Sequence, residues 1–253
     1  MRHDDRAPFD RALHGARVAA HAPGEFVGQE GFMTAGEIRD LAARAGVGPG
    51  VGVLDLGCGI AGPGRLLTRE LGCAYLGVDF SASAVAIARE QAGDLPCRFA
   101  IAHAPPLPGG SFDVLLLLEA MLAVEDKDAL VRAIGAALRP GGRFALTLEE
   151  GPPLTTAERA AMPDHDTVWL TPLDELAASL ERAGLVVTWQ EDHSRAHRAT
   201  AQALVRAYAA DAAEITAQIG RRALAELLAA HRLWVEWLDA GRVRKLALVA
   251  ERA

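Results

Sequence analysis

Asp55, Gly57, Gly59, Gly62 and Asp79 have types and spacing that could do chemistry, within the stretch VGVLDLGCGIAGPGRLLTRELGCAYLGVD. Glycine has no Cβ, so a chain that bends at Gly57 and Gly59 can lay a ligand against bare backbone and against the amides that open a following helix. An acid at the carboxyl end of the next strand, about 20 residues on, can accept from both vicinal hydroxyls of a ribose. Asp79 stands there, so the stretch predicts a nucleoside site. Spaced glycines alone do not say which nucleoside, because dinucleotide sites share them. Asp55 discriminates: its carboxylate, two residues before Gly57, would repel a pyrophosphate and attract a ligand with cationic groups.

Strands and helices must position these residues, and their pattern can be read along the chain. Val51, Val53 and Leu54 run apolar into the glycine bend, a helical run covers Arg65 to Leu71, and Ala74 to Val78 is apolar again, which makes one βαβ unit. Thr34 with Glu37 three residues on has the capping-box form and starts a helix through Ala45. Ser81 or Ser83 caps a helix after Asp79, Cys97 to Ala102 is a short strand, and Phe112 to Leu118 is the unbroken apolar run of a strand buried on both faces. A helix from Lys127 to Leu138 stops at Arg139-Pro140-Gly141-Gly142 and leads to a strand, Arg143 to Leu148, closed by Glu149 and Glu150. A helix from Thr171-Pro172 to Ala183, a strand from Leu185 to Gln190, a helical stretch from Ala196 to Ala240 and a last strand, Arg242 to Ala250, complete an α/β chain.

VLDLGCG, GVDFSASAVAIAR, FDVLLLLEA and LRPGGRFAL, in that order, resemble the class I, Rossmann-like S-adenosylmethionine-dependent methyltransferases, a likeness that covers roughly Thr34 to Val187. S-adenosylmethionine carries a sulfonium and an ammonium, the cationic groups that Asp55 would attract. The resemblance implies a seven-stranded, mostly parallel doubly wound sheet of order 3-2-1-4-5-7-6, with the last strand antiparallel. It implies that Asp55, Gly57, Cys58, Gly59 and Asp79 bind the cofactor and that Phe80 packs on its adenine. Many members end the third strand with an aspartate that accepts from the adenine amino group; this chain has His103-Ala104, and a neutral imidazole nitrogen can also accept.

Glu119 closes the central strand, where open parallel sheets bind ligands. It could be a general base, hold an amine or hydroxyl of the acceptor, or contact the cofactor's amino group. Family members often carry a histidine four residues later, where Ala123 stands here. Two adjacent acidic strand ends, at Glu119 and at Glu149 and Glu150, would draw a cationic or polar substrate. His165, between acids in MPDHDTVWL, is a second candidate base, with Asp164 and Trp169 as substrate contacts.

Residues 1–33 read as an arm or lid with a short helix from Pro8 to Ala20 and with Phe26 and Phe32 available to close over a ligand, and residues 34–253 as the methyltransferase domain. Stretches at about 151–171 and 195–240 are insertions that cover the site; Tyr208, Trp234 and Trp237 lie in the second, whose alternative use is a homodimer face. The 253 residues carry a net charge of -7, which supplies no basic footprint for nucleic acid. No stretch reaches the ~20 apolar residues of a membrane span, and MRHDDRAPFD lacks the apolar core of a secretion signal, so a cytoplasmic protein is expected. Cys58, Cys73 and Cys97 are spaced unlike metal ligands and are expected to be reduced packing residues, with no metal bound. The function expected is methyl transfer from S-adenosylmethionine to oxygen, nitrogen or carbon of a small molecule, in secondary metabolism. Its rivals are a methyltransferase-like protein that rearranges or cyclises a substrate, and a regulatory protein without catalysis.

Overall fold

The helical and apolar runs become α1 (Arg6–Ala20), α2 (Ala35–Arg44), β1 (Gly52–Leu56), α3 (Gly62–Leu71), β2 (Ala74–Asp79), α4 (Ala82–Ala92), β3 (Arg98–Ile101) and β4 (Phe112–Leu117). They continue through α5 (Lys127–Ala137), β5 (Leu138–Glu150), α6 (Thr156–Ala161), α7 (Leu173–Arg182) and β6 (Leu185–Asp192) to α8 (Ser194–Ala210), α9 (Ala212–Ile219), α10 (Arg221–Asp239) and β7 (Arg244–Arg252). The structure is a computed structural model and describes residues 6–253 except residue 164, with side chains from residue 11 onward. Asp164, expected above as a substrate contact, lies outside the described residues.

The seven strands form one sheet of order β3-β2-β1-β4-β5-β7-β6, with β7 antiparallel to both β5 and β6 and the other pairs parallel. This is the topology expected. Alternation along β4 explains why its sequence is apolar without interruption. Leu115 and Leu117 pack with Leu130, Ile134 and Leu180 of α5 and α7, whereas Val114 and Leu116 pack on the other face with Ile38, Leu41 and Leu67 of α2 and α3. Each such buried aliphatic side chain contributes about 1.5–3 kcal/mol.

Helix α2 begins with the full capping box. The Thr34 hydroxyl accepts from the Glu37 amide at 3.2 Å, and the Glu37 carboxylate accepts from the Thr34 amide at 2.7 Å. The proline and glycines at 140–142 do not separate α5 from the next strand. Leu138 already pairs with Phe112, and the register then shifts so that Arg143 lies opposite Val114.

Two expected covers meet in one cap. Helix α1 packs on α8 and α9, and α8 on α10, around Leu13, Ala16, Phe32, Leu204, Tyr208 and Leu224. The apolar stripe of the 195–240 insertion is therefore occupied by the chain's own first helix. The 151–171 stretch docks on the end of α10, where Leu154, Met162, Val168 and Leu170 surround Trp237. Between α1 and α2 the chain crosses above the glycine bend. A Cβ on Gly62 would lie 2.5 Å from the Val27 carbonyl oxygen and from the Gly28 carbonyl carbon, so the third glycine makes room for this crossing segment.

Candidate active site

The bend after β1 takes left-handed backbone at Gly57 (φ +68°) and Gly59 (φ +54°), angles that favour glycine. The end of β2 clamps it. The Val78 carbonyl accepts from the amides of Gly57 and Cys58 at 2.8 and 3.1 Å, and one oxygen of buried Asp79 accepts from the Gly59 amide at 2.9 Å. Its other oxygen accepts from the Ser81 amide at 2.8 Å. A carboxylate has about four acceptor positions, so Asp79 is both fixed in place and able to take two more donors.

Asp55 is buried and accepts from the Tyr75 hydroxyl at 2.6 Å. Burial pushes its pKa up to about 7; the Tyr75 hydrogen bond works against the shift and the nearby Asp79 carboxylate adds to it. An acid in that state gains from a neighbouring cation, which fits a ligand with a positively charged end.

Two adjoining cavities collect the residues expected to hold a nucleoside. The outer one, about 570 Å³, is lined by Asp79, Phe80, His103 and Ala104, and the Phe80 and His103 rings lie nearly parallel (14°) with centroids 5.7 Å apart. The middle one, about 240 Å³, is lined by Asp55, Gly57, Cys58, Gly59, Asp79, Phe80 and Glu119. Gly57, Asp79, Phe80, Ala120 and Ala123 belong to both. The group therefore fits the residues present: bare backbone, a fixed acid for a diol, a buried acid for a cation and flat rings for a base.

A third cavity, about 200 Å³, lies under the helical cap and shares Gln29 and Glu119 with the middle one. Phe26, Phe32, Tyr208 and Trp234 wall it. At its floor Lys245 meets Glu119 at 2.7 Å and also donates to Glu149, all three side chains being buried. Glu119 has left-handed backbone (φ +53°), and its carboxylate accepts from the amides of Phe32 and Met33. Burial alone would raise its pKa, but Lys245 and His197 outweigh burial and the net shift is downward. A carboxylate held ionised in this way is a poor proton acceptor, so of the three roles expected for Glu119 the geometry favours holding over general base.

Glu149 and Glu150 do not stand as free acids. Cross-strand pairing sets Glu149 opposite Lys245 and Glu150 opposite Arg244, which meets it at 2.8 Å. His165 is also displaced from its expected role. A single 3-10 turn (His165–Thr167) leaves it half-exposed beside Asp166 at 3.2 Å, and it lines none of the three cavities.

Two imidazoles that sequence reasoning passed over line the third cavity. His21 Nδ1 lies 2.8 Å from the Arg17 carbonyl, and His231 Nδ1 lies 2.9 Å from the Leu227 carbonyl. A carbonyl only accepts, so each neutral ring carries its proton on Nδ1 and leaves Nε2 as an acceptor. His21 Nε2 is buried without a hydrogen-bond partner among the described residues. Burial drives the His231 pKa down to about 4, with the Leu227 carbonyl opposing and Arg17 assisting, so that ring is neutral near pH 7. The legible signal was the polar residue inside an otherwise apolar helical face, as at His231 in LLAAHRLW, or inside an apolar strand, as at Lys245 in RKLALVA.

Residues 54–146 match the family described as a methyltransferase domain. Methyltransferase GfsG of Streptomyces halstedii is 32% identical over 182 residues, covering 66% of this chain and 64% of that protein. The 27-O-demethylrifamycin SV methyltransferase of Amycolatopsis mediterranei is 31% identical over 166 residues, 61% of either chain. The chain thus spans just under two thirds of the length of these relatives. Among solved structures, that of the 4+2 cyclase SpnF superposes with a TM-score of 0.77 at 22% identity, covering 99% of this chain and 93% of the other.

Proposed function

We propose that the chain is a class I S-adenosylmethionine-dependent methyltransferase and that it methylates a small molecule bearing a hydroxyl or amine, in secondary metabolism. The observation that carries this reading is the row of three joined cavities, two suited to a cationic nucleoside and the third lined by acceptor atoms. In the first two, Asp79 would hold the ribose, Asp55 the cationic end, and Phe80 and His103 the adenine. When bound, the cofactor supplies an electrophilic methyl carbon on a positively charged sulfur.

The chain's own share is to bind, orient and exclude water. Holding two reactants in attack geometry can remove about 7–11 kcal/mol from a barrier, and a roofed cavity is suited to that task. Buried Glu149 Oε2 and His21 Nε2 have no partner among the described residues, so the third cavity favours an acceptor that donates hydrogen bonds. His21 Nε2 would take the proton of an acidic hydroxyl, in place of the histidine absent at Ala123. Net acidity of the chain supports a small molecule over nucleic acid, and the rifamycin-modifying relative supports secondary metabolism.

Isothermal titration with S-adenosylmethionine and with NAD tests the cofactor; tighter binding of NAD overturns the reading. Incubation with a panel of phenols and hydroxylated macrolactams, read as S-adenosylhomocysteine formed, tests the reaction. A substrate that cyclises or isomerises while no S-adenosylhomocysteine forms would favour the rival chemistry.

A further inference from the structure

Away from the three cavities, Glu37 in the first turn of α2 meets His193 and His197, which lie one turn apart at the start of α8. The geometry points to a site for one divalent transition-metal ion, zinc(II) by preference, held by the Glu37 carboxylate, His193 Nδ1 and His197 Nε2. This goes beyond the methyl-transfer reading and does not rest on it.

The spacing of the donors is the first ground. His197 Nε2 lies 3.3 Å from one Glu37 oxygen and His193 Nδ1 lies 3.4 Å from the other, and the three ligand atoms fall within 4.8 Å of one another. Metal bonds of about 2.0–2.2 Å in a tetrahedral site put neighbouring ligand atoms about 3.3–3.5 Å apart. Each imidazole therefore already stands one tetrahedral edge from a Glu37 oxygen, and the remaining separations, all within 4.8 Å, would close by about 1 Å on binding.

An unexplained polar atom is the second. His193 Nδ1 is buried and makes no hydrogen bond with any described residue, a state that costs free energy unless something else satisfies it. His197 is itself buried to 1% exposure.

Supporting carboxylates are the third. The far nitrogen of each ring faces an acid: His197 Nδ1 is 3.7 Å from Glu119, and His193 Nε2 is 3.8 Å from Glu191. Both separations are longer than a hydrogen bond, so the acids are near neighbours of the rings, placed where a small approach on metal binding would let each orient its imidazole and raise its basicity. Charge agrees. Glu119 and Glu149 share the ammonium of Lys245, whereas the charged partners of Glu37 among the described residues are the two imidazoles alone, so a dication there would answer its charge.

Access and selectivity complete the case. A solvent-open groove of about 550 Å³, lined by Gly36, Glu37, Asp40, Glu191 and His193, leads to the cluster and leaves room for a water as fourth ligand. Two imidazoles and one carboxylate suit zinc, cobalt or nickel, not magnesium or calcium, which take all-oxygen sets. The ion would fasten the cap helix α8 to α2.

The test uses full-length protein stripped with a chelator and titrated with ZnCl2 by calorimetry, without cofactor or acceptor, so its failure leaves the methyl-transfer reading untouched. One ion per chain is expected, with affinity at least 100-fold weaker in His193→Gln/His197→Gln and about 10-fold weaker in Glu191→Gln. Cobalt(II) should give the strong visible absorption of a tetrahedral site in the native chain and lose it in the double variant. Circular dichroism establishes that each variant is folded; should the double variant not fold, His193→Gln alone, at the more exposed ligand, takes its place with the same expectation. Zinc binding that is absent, or equally tight in the folded variants, overturns the proposal and leaves a protonated histidine–glutamate cluster instead.

Discussion

Lys245 on β7 and Glu119, two residues past the end of β4, meet at 2.7 Å although β4 and β7 are not neighbours: β5 lies between them, and its Glu149 takes the same ammonium. Both carboxylates hold the Lys245 pKa well above its ordinary value against the opposing effect of burial. Removing the cation from two buried acids costs more than the pair contributes, about 3–5 kcal/mol. Lys245→Met should therefore lower the free energy of unfolding in urea by that amount, and Lys245→Met/Glu119→Gln/Glu149→Gln should recover most of it. Equal stability of native protein and Lys245→Met would refute the ion cluster.

Asp55, in the role proposed for it, should set a pH dependence for cofactor affinity. Its pKa in the empty protein is raised to about 7, and a bound cation favours the ionised form, so affinity must fall as protons fill the site below pH 7. Between pH 8 and pH 6 the association constant for S-adenosylmethionine should drop about 10-fold, whereas uncharged adenosine should change little. Because the folded pKa exceeds the unfolded one, the empty protein also loses stability as pH rises from about 4 through about 7. Calorimetric titrations at the two pH values decide it.

Gly62 is constrained by the segment that crosses it. In Gly62→Ala the new Cβ would sit 2.5 Å from backbone atoms of Val27 and Gly28, which cannot yield as a flexible side chain would. The segment should lift, at a cost of about 1–3 kcal/mol. Limited proteolysis should then cut near residues 24–31 much faster than in the native chain, while the sheet remains protected.

His21 and His165 separate the proposed acceptor site from the one expected from the sequence. His21→Ala should slow turnover of a hydroxyl acceptor by about 10²–10⁴-fold and leave the dissociation constant of S-adenosylmethionine unchanged. His165→Ala, which alters a half-exposed turn, should change neither quantity. Steady-state kinetics alongside calorimetry distinguish the two.

What could be read from the sequence was what is local in it. The glycine bend, Asp55 and Asp79 lie within 25 residues, and the structure brings them to one cavity. The apolar run of β4 implied burial on both faces, and each face is filled by a different pair of helices. The ion cluster was hidden because its members are far apart: Glu149 and Lys245 are separated by 96 residues, and Glu37 and His197 by 160. Only the antiparallel register of β5 and β7 shows that Lys245 answers Glu149. His165 misled for the opposite reason. Its acidic neighbours suggested a base, but one short turn directs it toward solvent and away from the cavities.

Gln29 pins the crossing segment from within, its amide nitrogen donating to the Glu25 and Met33 carbonyls and its oxygen accepting from the Val27 amide, and it borders both the middle and the third cavity. Two chambers thus lie beneath a single strap. A substitution at Gln29 would therefore be felt in both chambers at once, and neither can be reshaped from this side independently of the other.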